Sequence, residues 1–272
     1  MTINAALRKY YFCSMKLIDS HTHLYVEQFD EDREVVIERA IAAGVEQFLI
    51  PAIDSNYYQR MLALQQLWPE RIHLMAGLHP THVKEDYKKE LSIVETELDT
   101  KRYCAVGEIG IDLYWDQKFL KIQQVAFALQ IQWAIDRDLP IVIHCREAFD
   151  EVFEILETFD SYQLKGIFHC FTGNLQQAQR VIDNNLLLGI GGVVTFKNGK
   201  IDQFLSEIPL ECLALETDAP YLAPSPHRGK RNESSYLGFV LERVSEIYKI
   251  NPTEVAHITS ANVQRVFTSI SL

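Results

Sequence analysis

Two histidines, one residue apart, follow the first apolar run of the sequence. In "MKLIDSHTHL" the segment 15–19 has the composition of a β-strand, and His21 and His23 come just after it. Because side chains of an extended chain alternate between two faces, both imidazoles project to one side and Thr22 projects to the other. Neutral imidazole is a common metal ligand, so the pair could supply half of the ligands of an ion. A His-x-His pair also occurs by chance, and only further ligands elsewhere would decide between these interpretations.

Further potential ligands stand at the ends of other apolar runs, in the motifs "GLHPTH", "GEIGID", "HCRE", "FHCF" and "ETDAP". Each residue alone could serve the structure, because a histidine can bond a backbone carbonyl and a glutamate can cap a helix. As a set at equivalent positions, they predict a metal centre. The set comprises five of the nine histidines and two acidic residues: His21, His23, His79, His144, His169, Glu108 and Asp218.

The size of this set bears on the number of ions. One open zinc site uses three or four protein ligands, and even without His79 the four remaining histidines and two carboxylates exceed that number. Two divalent ions that share a bridging carboxylate are therefore the economical arrangement. Such a pair activates a water and holds the attacking and leaving oxygens of an in-line displacement, which predicts hydrolysis. Asp218 could bind one ion and also accept the proton of that water.

The elements that must position these residues alternate along the chain. Segments such as "DEDREVVIERAIAAG", which ends at Gly44, and "FLKIQQVAFALQIQWAIDRDL" have the spacing of helices. Strands separated by helical crossovers predict a parallel sheet, and eight such units in about 250 residues predict an α/β fold with a closed (β/α)8 TIM barrel. A doubly wound open sheet is the alternative. In a barrel the candidate ligands would face one mouth, at the carboxyl ends of the strands. The eight runs are "MKLID", "VEQFLIPA", "IHLMAGL", "CAVGEIG", "LPIVIHC", "LKGIFHC", "NLLLGIG" and "CLALETD".

Length and composition favour one domain. We expect a barrel over residues 15–272, with the C-terminal helical segment "NPTEVAHITSANVQRVF", and an N-terminal extension, residues 1–14, without an assigned role. Five cysteines without a C-x-x-C pair indicate neither a disulfide framework nor a zinc ribbon, and predict a reducing cytoplasm. No stretch approaches the roughly 18 apolar residues of a membrane span. No obligate protein partner is indicated.

The charge of the chain limits its partners. Lys and Arg number 26 against 37 Asp and Glu, giving a net charge of −11, which disfavours broad coating of duplex phosphate or of an anionic membrane. An anionic substrate would need a local basic patch. Arg146 stands just beyond His144, and Lys197 and Arg228 stand in the loops after strands seven and eight, where barrels often bind phosphate. These three are candidate substrate contacts, although such charges can also serve solubility alone. His79 could contact substrate or support a ligand.

Two groups of side chains could act close to the ligands. The aromatic residues Tyr114, Trp115 and Tyr221 stand in predicted loops near the mouth, where bases of a single strand could stack on them. Glu216 could orient a metal ligand or pack at the end of a strand.

The motifs "IDSHTHL", "GLHP", "GEIGIDLYW", "PIVIHCREA", "FHCFTG" and "ETDAPYLAPSPHRGKRNES" together resemble those of the TatD family of metal-dependent deoxyribonucleases, a branch of the amidohydrolase-like barrels. The resemblance runs from about residue 15 to residue 267. It implies phosphodiester hydrolysis in DNA, often as a 3′ to 5′ exonuclease on single strands, supported by magnesium, manganese or zinc. The chain departs from the family pattern at "NESS", where Asn-Glu-Pro is common, and in its N-terminal extension.

The resemblance also implies a ligand set. One divalent ion would be held by His21, His23 and Asp218. The second would be held by His144 and His169, with Glu108 as the bridge and, together with Asp218, as a catalytic residue.

Three classes of function stay open at this point. The first is a two-metal phosphodiesterase acting on single-stranded DNA or another nucleic acid. The second is a metal-dependent hydrolase of another ester or amide, such as the ester between an amino acid and tRNA, because similar barrels host many reactions. The third is a barrel that has lost catalysis and serves as a binding module, which is disfavoured because no expected ligand is missing.

Overall fold

The computed structural model describes residues 15–100, 102–115 and 117–272. Eight parallel strands form one sheet in sequential order, and each predicted apolar run overlaps one of them; the fourth and fifth strands extend two and one residues beyond their predicted runs. All eight residues of the fourth strand and all five of the seventh are buried, as expected for strands covered on both faces. The strands are β1 (Leu17–Asp19), β2 (Val45–Ile50), β3 (Ile72–Ala76), β4 (Ala105–Asp112), β5 (Ile141–Arg146), β6 (Gly166–Phe168), β7 (Leu186–Ile190) and β8 (Leu213–Leu215).

The first and last strands meet and close the sheet into a barrel. The backbone N–H of Ser20 donates to the carbonyl of Leu215 at 3.1 Å, and Thr22 pairs with Ala219 in an isolated parallel bridge. The prediction of a (β/α)8 barrel is confirmed, and a doubly wound open sheet, whose edge strands stay apart, does not fit.

Eight α-helices of the described chain surround the strands. The predicted helix before Gly44 ends in the described structure at Ala42, and Gly44 itself has φ of 90°, which favours glycine. The predicted C-terminal helical segment is confirmed by a helix that begins at Pro252. The side chain of Asn251 caps this helix by accepting a hydrogen bond from the N–H of Thr253. The helices are α1 (Arg33–Ala42), α2 (Tyr58–Leu67), α3 (Tyr87–Leu98), α4 (Leu120–Asp136), α5 (Phe149–Leu156), α6 (Leu175–Asp183), α7 (Leu237–Tyr248) and α8 (Pro252–Val266).

The connection from β7 to β8 differs from the others. It contains four short 3-10 helices, Gly192–Thr195, Ile201–Gln203, Leu205–Glu207 and Leu210–Cys212, and the prediction that strand and helix alternate throughout is wrong here. Gly199 and Pro209 interrupt this segment, and both residue types are poor helix formers.

The interior of the barrel is a separate apolar cluster with one residue from every strand. Side chains of the C-terminal segment, among them Val263 and Phe267, belong to the same cluster. This packing fills the barrel with apolar groups and leaves the polar side chains to the carboxyl ends of the strands. The strand residues are Ile18, Leu49, Met75, Ala105, Val142, Ile167, Leu187 and Ala214.

Other sequence expectations concern the chain as a whole. The proposed N-terminal extension, residues 1–14, lies outside the described residues, and so does Cys13. The cysteines at 104, 145, 170 and 212 are free thiols. No helix in the described part of the chain is long and apolar enough to cross a membrane.

Candidate metal centre

Four side chains from three strand ends converge on one point at the mouth of the barrel. The Nε2 atoms of His21 and His23 lie 3.2 Å apart. Oε2 of Glu108 lies 3.1 Å from the first of these nitrogens and 3.5 Å from the second. Oδ1 of Asp218 lies 3.9 and 3.6 Å from the same two atoms. The group thus presents two imidazole nitrogens and two carboxylate oxygens to a common centre.

This geometry suits a metal ion. Ligand atoms bonded at about 2.0–2.1 Å to one tetrahedral ion lie about 3.3–3.4 Å from one another. The separations in this group, from 3.1 to 3.9 Å, surround that value. Neutral nitrogen and anionic oxygen are the donors that divalent ions such as zinc take from proteins.

The other oxygen of Glu108 faces a second group of histidines. Its Oε1 lies 2.8 Å from Nδ1 of His144, 3.3 Å from Nε2 of His79 and 3.5 Å from Nε2 of His169. Glu108 is 1% exposed, so water does not compensate its charge. One buried carboxylate therefore presents one oxygen to each of two nitrogen-rich groups.

Two further carboxylates orient the histidines of the second group. Oδ2 of Asp112 lies 2.9 Å from Nε2 of His144. Oε1 of Glu216 lies 2.9 Å from Nδ1 of His169. A carboxylate that accepts the proton of one ring nitrogen leaves the lone pair of the other nitrogen for a metal, and so fixes the tautomer.

From the sequence the role of Glu216 stays open, and Asp112 is not among the predicted site residues. A signal was present, because Asp112 stands four residues after Glu108 in one strand, and an even spacing places both side chains on the same face.

The seam between β1 and β8 positions the first group. Asp218 donates its N–H to the carbonyl of His21 at 2.9 Å, and it has φ of 56°, an uncommon conformation for a residue with a side chain. Asp19 accepts hydrogen bonds from the N–H and the hydroxyl of Thr217 at 2.9 and 2.6 Å. The buried side-chain amide of Asn232 donates to two carbonyls of the loop that follows β8, each at 2.7 Å. These contacts hold the carboxylate of Asp218 against the first strand.

The protonation of the site follows from its burial. Burial lowers the pKa of His21, His23 and His169, which favours neutral rings with lone pairs. Burial alone would raise the pKa of Glu108, but the histidines around it lower that pKa well below its usual range. Burial and nearby carboxylates raise the pKa of Asp218 to about 8.

The pKa of His144 behaves differently. Burial disfavours its charged form, but hydrogen bonds to Asp112 and Glu108 outweigh burial and raise its pKa to about 9. Without an ion, therefore, protons occupy positions where a metal would supply positive charge.

A cavity of about 690 Å³ opens above the two groups. Its lining includes His79 and Arg146, two of the four predicted substrate contacts. Lys197 and Arg228 are not among the described residues that line it. Lys197 is exposed, and the guanidinium of Arg228 lies 3.5 Å from the ring centre of Phe196. The structure thus brings all six predicted metal ligands together, with only two of the predicted substrate contacts beside them.

A (β/α)8 barrel whose strand ends converge in histidines and carboxylates is the architecture of a metal-dependent hydrolase. The comparison with known proteins agrees with that class. The model of the family described as TatD related DNase matches residues 18–268, and the chain belongs to this family.

Individual relatives are similar over almost their whole length. The uncharacterized metal-dependent hydrolase YabD of Bacillus subtilis is 38% identical over 252 residues, which cover 92% of this chain and 98% of that protein. The 3′-5′ ssDNA/RNA exonuclease TatD of Salmonella typhimurium is 32% identical over 257 residues, which cover 92% of this chain and 98% of that protein. The crystal structure of YjjV, a TatD homolog from Escherichia coli K12, superimposes with a TM-score of 0.87 at 29% identity, covering 93% of this chain and 98% of that one. The protein is therefore an enzyme of the metal-dependent hydrolase class.

Proposed function

We propose that the protein is a two-metal nuclease that hydrolyses phosphodiester bonds of DNA, acting as a 3′ to 5′ exonuclease on single strands. The observation that carries the proposal is the position of Glu108, whose two oxygens face two separate groups of histidines at 2.8 to 3.5 Å. The name of the Salmonella relative, a 3′-5′ ssDNA/RNA exonuclease, supports a nucleic-acid substrate.

The ligand sets of the two ions follow from the two groups. His21, His23 and Asp218 would hold one divalent ion, and His144 and His169 would hold the other, with Glu108 between them. Magnesium, manganese and zinc are the candidate ions. When bound, a pair of such ions supplies Lewis acidity toward the phosphodiester and a water that ionises near neutral pH.

The remaining work of the reaction belongs to side chains around the cavity. Asp218 would accept the proton of the attacking water, because its carboxylate lies at the first ligand group and lines the cavity. Arg146 would bind a phosphate oxygen of the substrate, since its guanidinium offers a planar fork of donors and lines the same cavity. His79 would orient either the substrate or Glu108, because its Nε2 lies 3.3 Å from Oε1 of Glu108.

The other two predicted contacts, Lys197 and Arg228, would meet phosphates of a longer strand beyond the cavity. We place the enzyme in the cytoplasm, where the free thiols of the described cysteines would be maintained. We propose no obligate protein partner.

The test uses metal-free protein and end-labelled single-stranded DNA. Magnesium, manganese or zinc is added back, product lengths are resolved, and single-stranded RNA is assayed in parallel. Metal-dependent shortening from the 3′ end by the wild type, absent in His144→Ala, is the expected result. Absence of cleavage by a protein that binds two ions would instead indicate another ester or amide substrate, such as the ester between an amino acid and tRNA.

Two variants test the assigned roles. Asp218→Ala should lose turnover, and near-native turnover with metal bound would exclude its role as proton acceptor. Arg146→Ala should weaken turnover of phosphodiesters while metal binding stays intact. Loss of metal from that variant would show that Arg146 supports the ligands rather than the substrate.

A further inference from the structure

Large aromatic side chains are exposed beside the metal groups. In the connection from β4 to α4, Tyr114 is 49% and Trp115 is 70% exposed. Trp115 lines the cavity of the metal centre. Tyr221 and Leu222, in the loop after β8, are 46% and 39% exposed and line the same cavity. Exposed apolar groups that cluster around a cavity mark a binding surface more often than scattered ones do.

The position of this aromatic pair is fixed by the carboxylate that orients a metal ligand. Oδ1 of Asp112 accepts hydrogen bonds from the N–H groups of Tyr114 and Trp115 at 3.1 and 3.3 Å. Oδ2 of the same side chain lies 2.9 Å from Nε2 of His144. One side chain thus ties the loop to the metal centre and sets the aromatic rings at a constant place relative to it.

The rings form a compact platform with a cation beside it. Tyr114 and Trp115 pack edge to face with their centres 4.9 Å apart. The guanidinium of Arg146 lies 3.7 Å from the centre of the Tyr114 ring and 5.5 Å from that of Trp115. No ion pair joins Arg146 to any described residue, so its charge is available to an anion. The Tyr114 ring has a cation on its face, whereas Trp115 keeps most of its surface in water.

A candidate metal centre could take the phosphate of a nucleotide, Arg146, which has no ion pair within the described part of the chain, could take its negative charge, and an exposed indole could take its base. We propose that Trp115, supported by Tyr114 and Arg146, is the stacking platform for the nucleobase next to the scissile phosphodiester. The proposal rests on the proposed nuclease function and adds the part of the substrate that this loop recognises. Since every base has a π-face, the platform would accept all four bases and would require the base to be unpaired. A preference for single strands follows.

The experiment compares two single-stranded DNA substrates of equal length and charge. One carries ordinary nucleotides at its 3′ end, and the other carries abasic tetrahydrofuran residues at the last two positions. Stacking of a base on an aromatic side chain contributes about 1–3 kcal/mol, which converts to about 5- to 140-fold. We expect Trp115→Ala to lower kcat/KM for the ordinary substrate by such a factor and to leave the abasic substrate unchanged.

Two variants serve as controls. Trp115→Phe should keep most of the preference for the ordinary end, because phenylalanine also stacks. Tyr162→Ala removes an aromatic ring that is 94% exposed and is not among the described residues that line the cavity, and it should change neither rate. If Trp115→Ala lowers kcat/KM equally on both substrates, the proposal is overturned, and Trp115 serves only the structure of its loop. Unchanged rates on both would overturn it as well.

A binding readout separates this proposal from the nuclease proposal. Trp115 is exposed, whereas Trp133 is buried and Trp68 is partly buried. A base that stacks on Trp115 should therefore quench the fluorescence of this exposed indole. The metal-loaded protein is titrated with a phosphorothioate-linked oligothymidylate, which resists hydrolysis, and with an abasic strand of equal charge. Quenching by the first strand alone, lost in Trp115→Phe, supports the platform. If the wild type cleaves neither DNA, the nuclease function fails, while the quenching result still decides the platform, and its absence refutes it.

Discussion

Asp112 determines which nitrogen of His144 is available to a metal ion. Its Oδ2 lies 2.9 Å from Nε2, while Nδ1 lies 2.8 Å from Oε1 of Glu108. A neutral His144 therefore carries its proton on Nε2 and keeps the lone pair of Nδ1 for an ion. The variant Asp112→Asn keeps the shape of the side chain but presents an amide NH₂ to Nε2. The ring must then place its proton on Nδ1, where the ion would bind.

The size of the effect follows from the contacts of Asp112. The variant can restore the useful tautomer only by turning its amide over, and its NH₂ then faces the N–H groups of Tyr114 and Trp115, which are bonded to Oδ1 in the wild type. Two neutral hydrogen bonds of about 0.5–1.5 kcal/mol each are lost. The total of about 1–3 kcal/mol converts to about 5- to 140-fold weaker binding of the ion held by His144. Loss of an outer carboxylate in metal sites typically costs about 10- to 100-fold.

The assay is a calorimetric titration of metal-free protein with manganese. We expect two binding events in the wild type and, in Asp112→Asn, weakening of only the event that involves His144. Asp112→Ala should bind this ion at least as well as Asp112→Asn, because water can accept the proton of Nε2. The matched control is Asp99→Asn, which changes an exposed carboxylate bonded to Arg137 on the outer surface.

Two results would contradict the reasoning. Wild-type affinity for both ions in Asp112→Asn would refute the tautomer argument. Loss of both ions together with a large fall in Tm would show that Asp112 supports the fold instead.

Three further predictions address the buried groups of the site. In Gly189→Ala the added Cβ would overlap Oε2 of Glu216, and because this buried carboxylate orients a metal-binding histidine, we expect one ion to bind about 10- to 100-fold more weakly in the same titration. Metal binding should displace protons from His144, whose pKa is raised to about 9 by its carboxylate partners despite burial, and from Asp218, whose pKa burial raises to about 8. Each group keeps its proton at pH values below its pKa, so binding of the metal should release protons below pH 8, and this release should fall as the pH passes 9. Calorimetry in two buffers of different ionisation enthalpy measures the release. A release that does not change with pH would contradict the assignment. In Asn232→Ala two backbone carbonyls, one buried and one partly buried, lose their donor. This should lower the free energy of unfolding by about 2–4 kcal/mol in urea denaturation, whereas a change below about 0.5 kcal/mol would be that of an ordinary surface position.

The parts of the fold that could be predicted are those that depend on continuous burial. A strand covered on both faces needs a largely apolar run, and all eight predicted runs overlap strands of the barrel. The candidate ligands could be selected because polar residues at the ends of such runs must lie at one mouth. The crossover before β8 was predicted wrongly, because a helical crossover was inferred from the alternation of the other units rather than from the composition of this segment.

Contacts between elements were harder to predict. The role of Asp112 depends on the register between β4 and β5, in which Gly110 pairs with His144. The pattern of residues along one strand does not determine its register against the next strand. The loops that carry Lys197 and Arg228 follow β7 and β8 as predicted, but the direction of a loop depends on its packing. The ring of Phe196 lies beneath the guanidinium of Arg228, and the sequence contains no sign of that contact.

The seam where β1 meets β8 has a consequence for synthesis of the chain on the ribosome. His21 and His23 reach their partner Asp218 only across this seam, where Asp218 donates its N–H to the carbonyl of His21. A nascent or truncated chain that stops before β8 can contain the ligands proposed for one ion, between residues 108 and 169, but not those proposed for the other. On the proposed function, the two ions would therefore come together only when the barrel closes, and an unfinished chain would not cut nucleic acid in the surroundings where it is made.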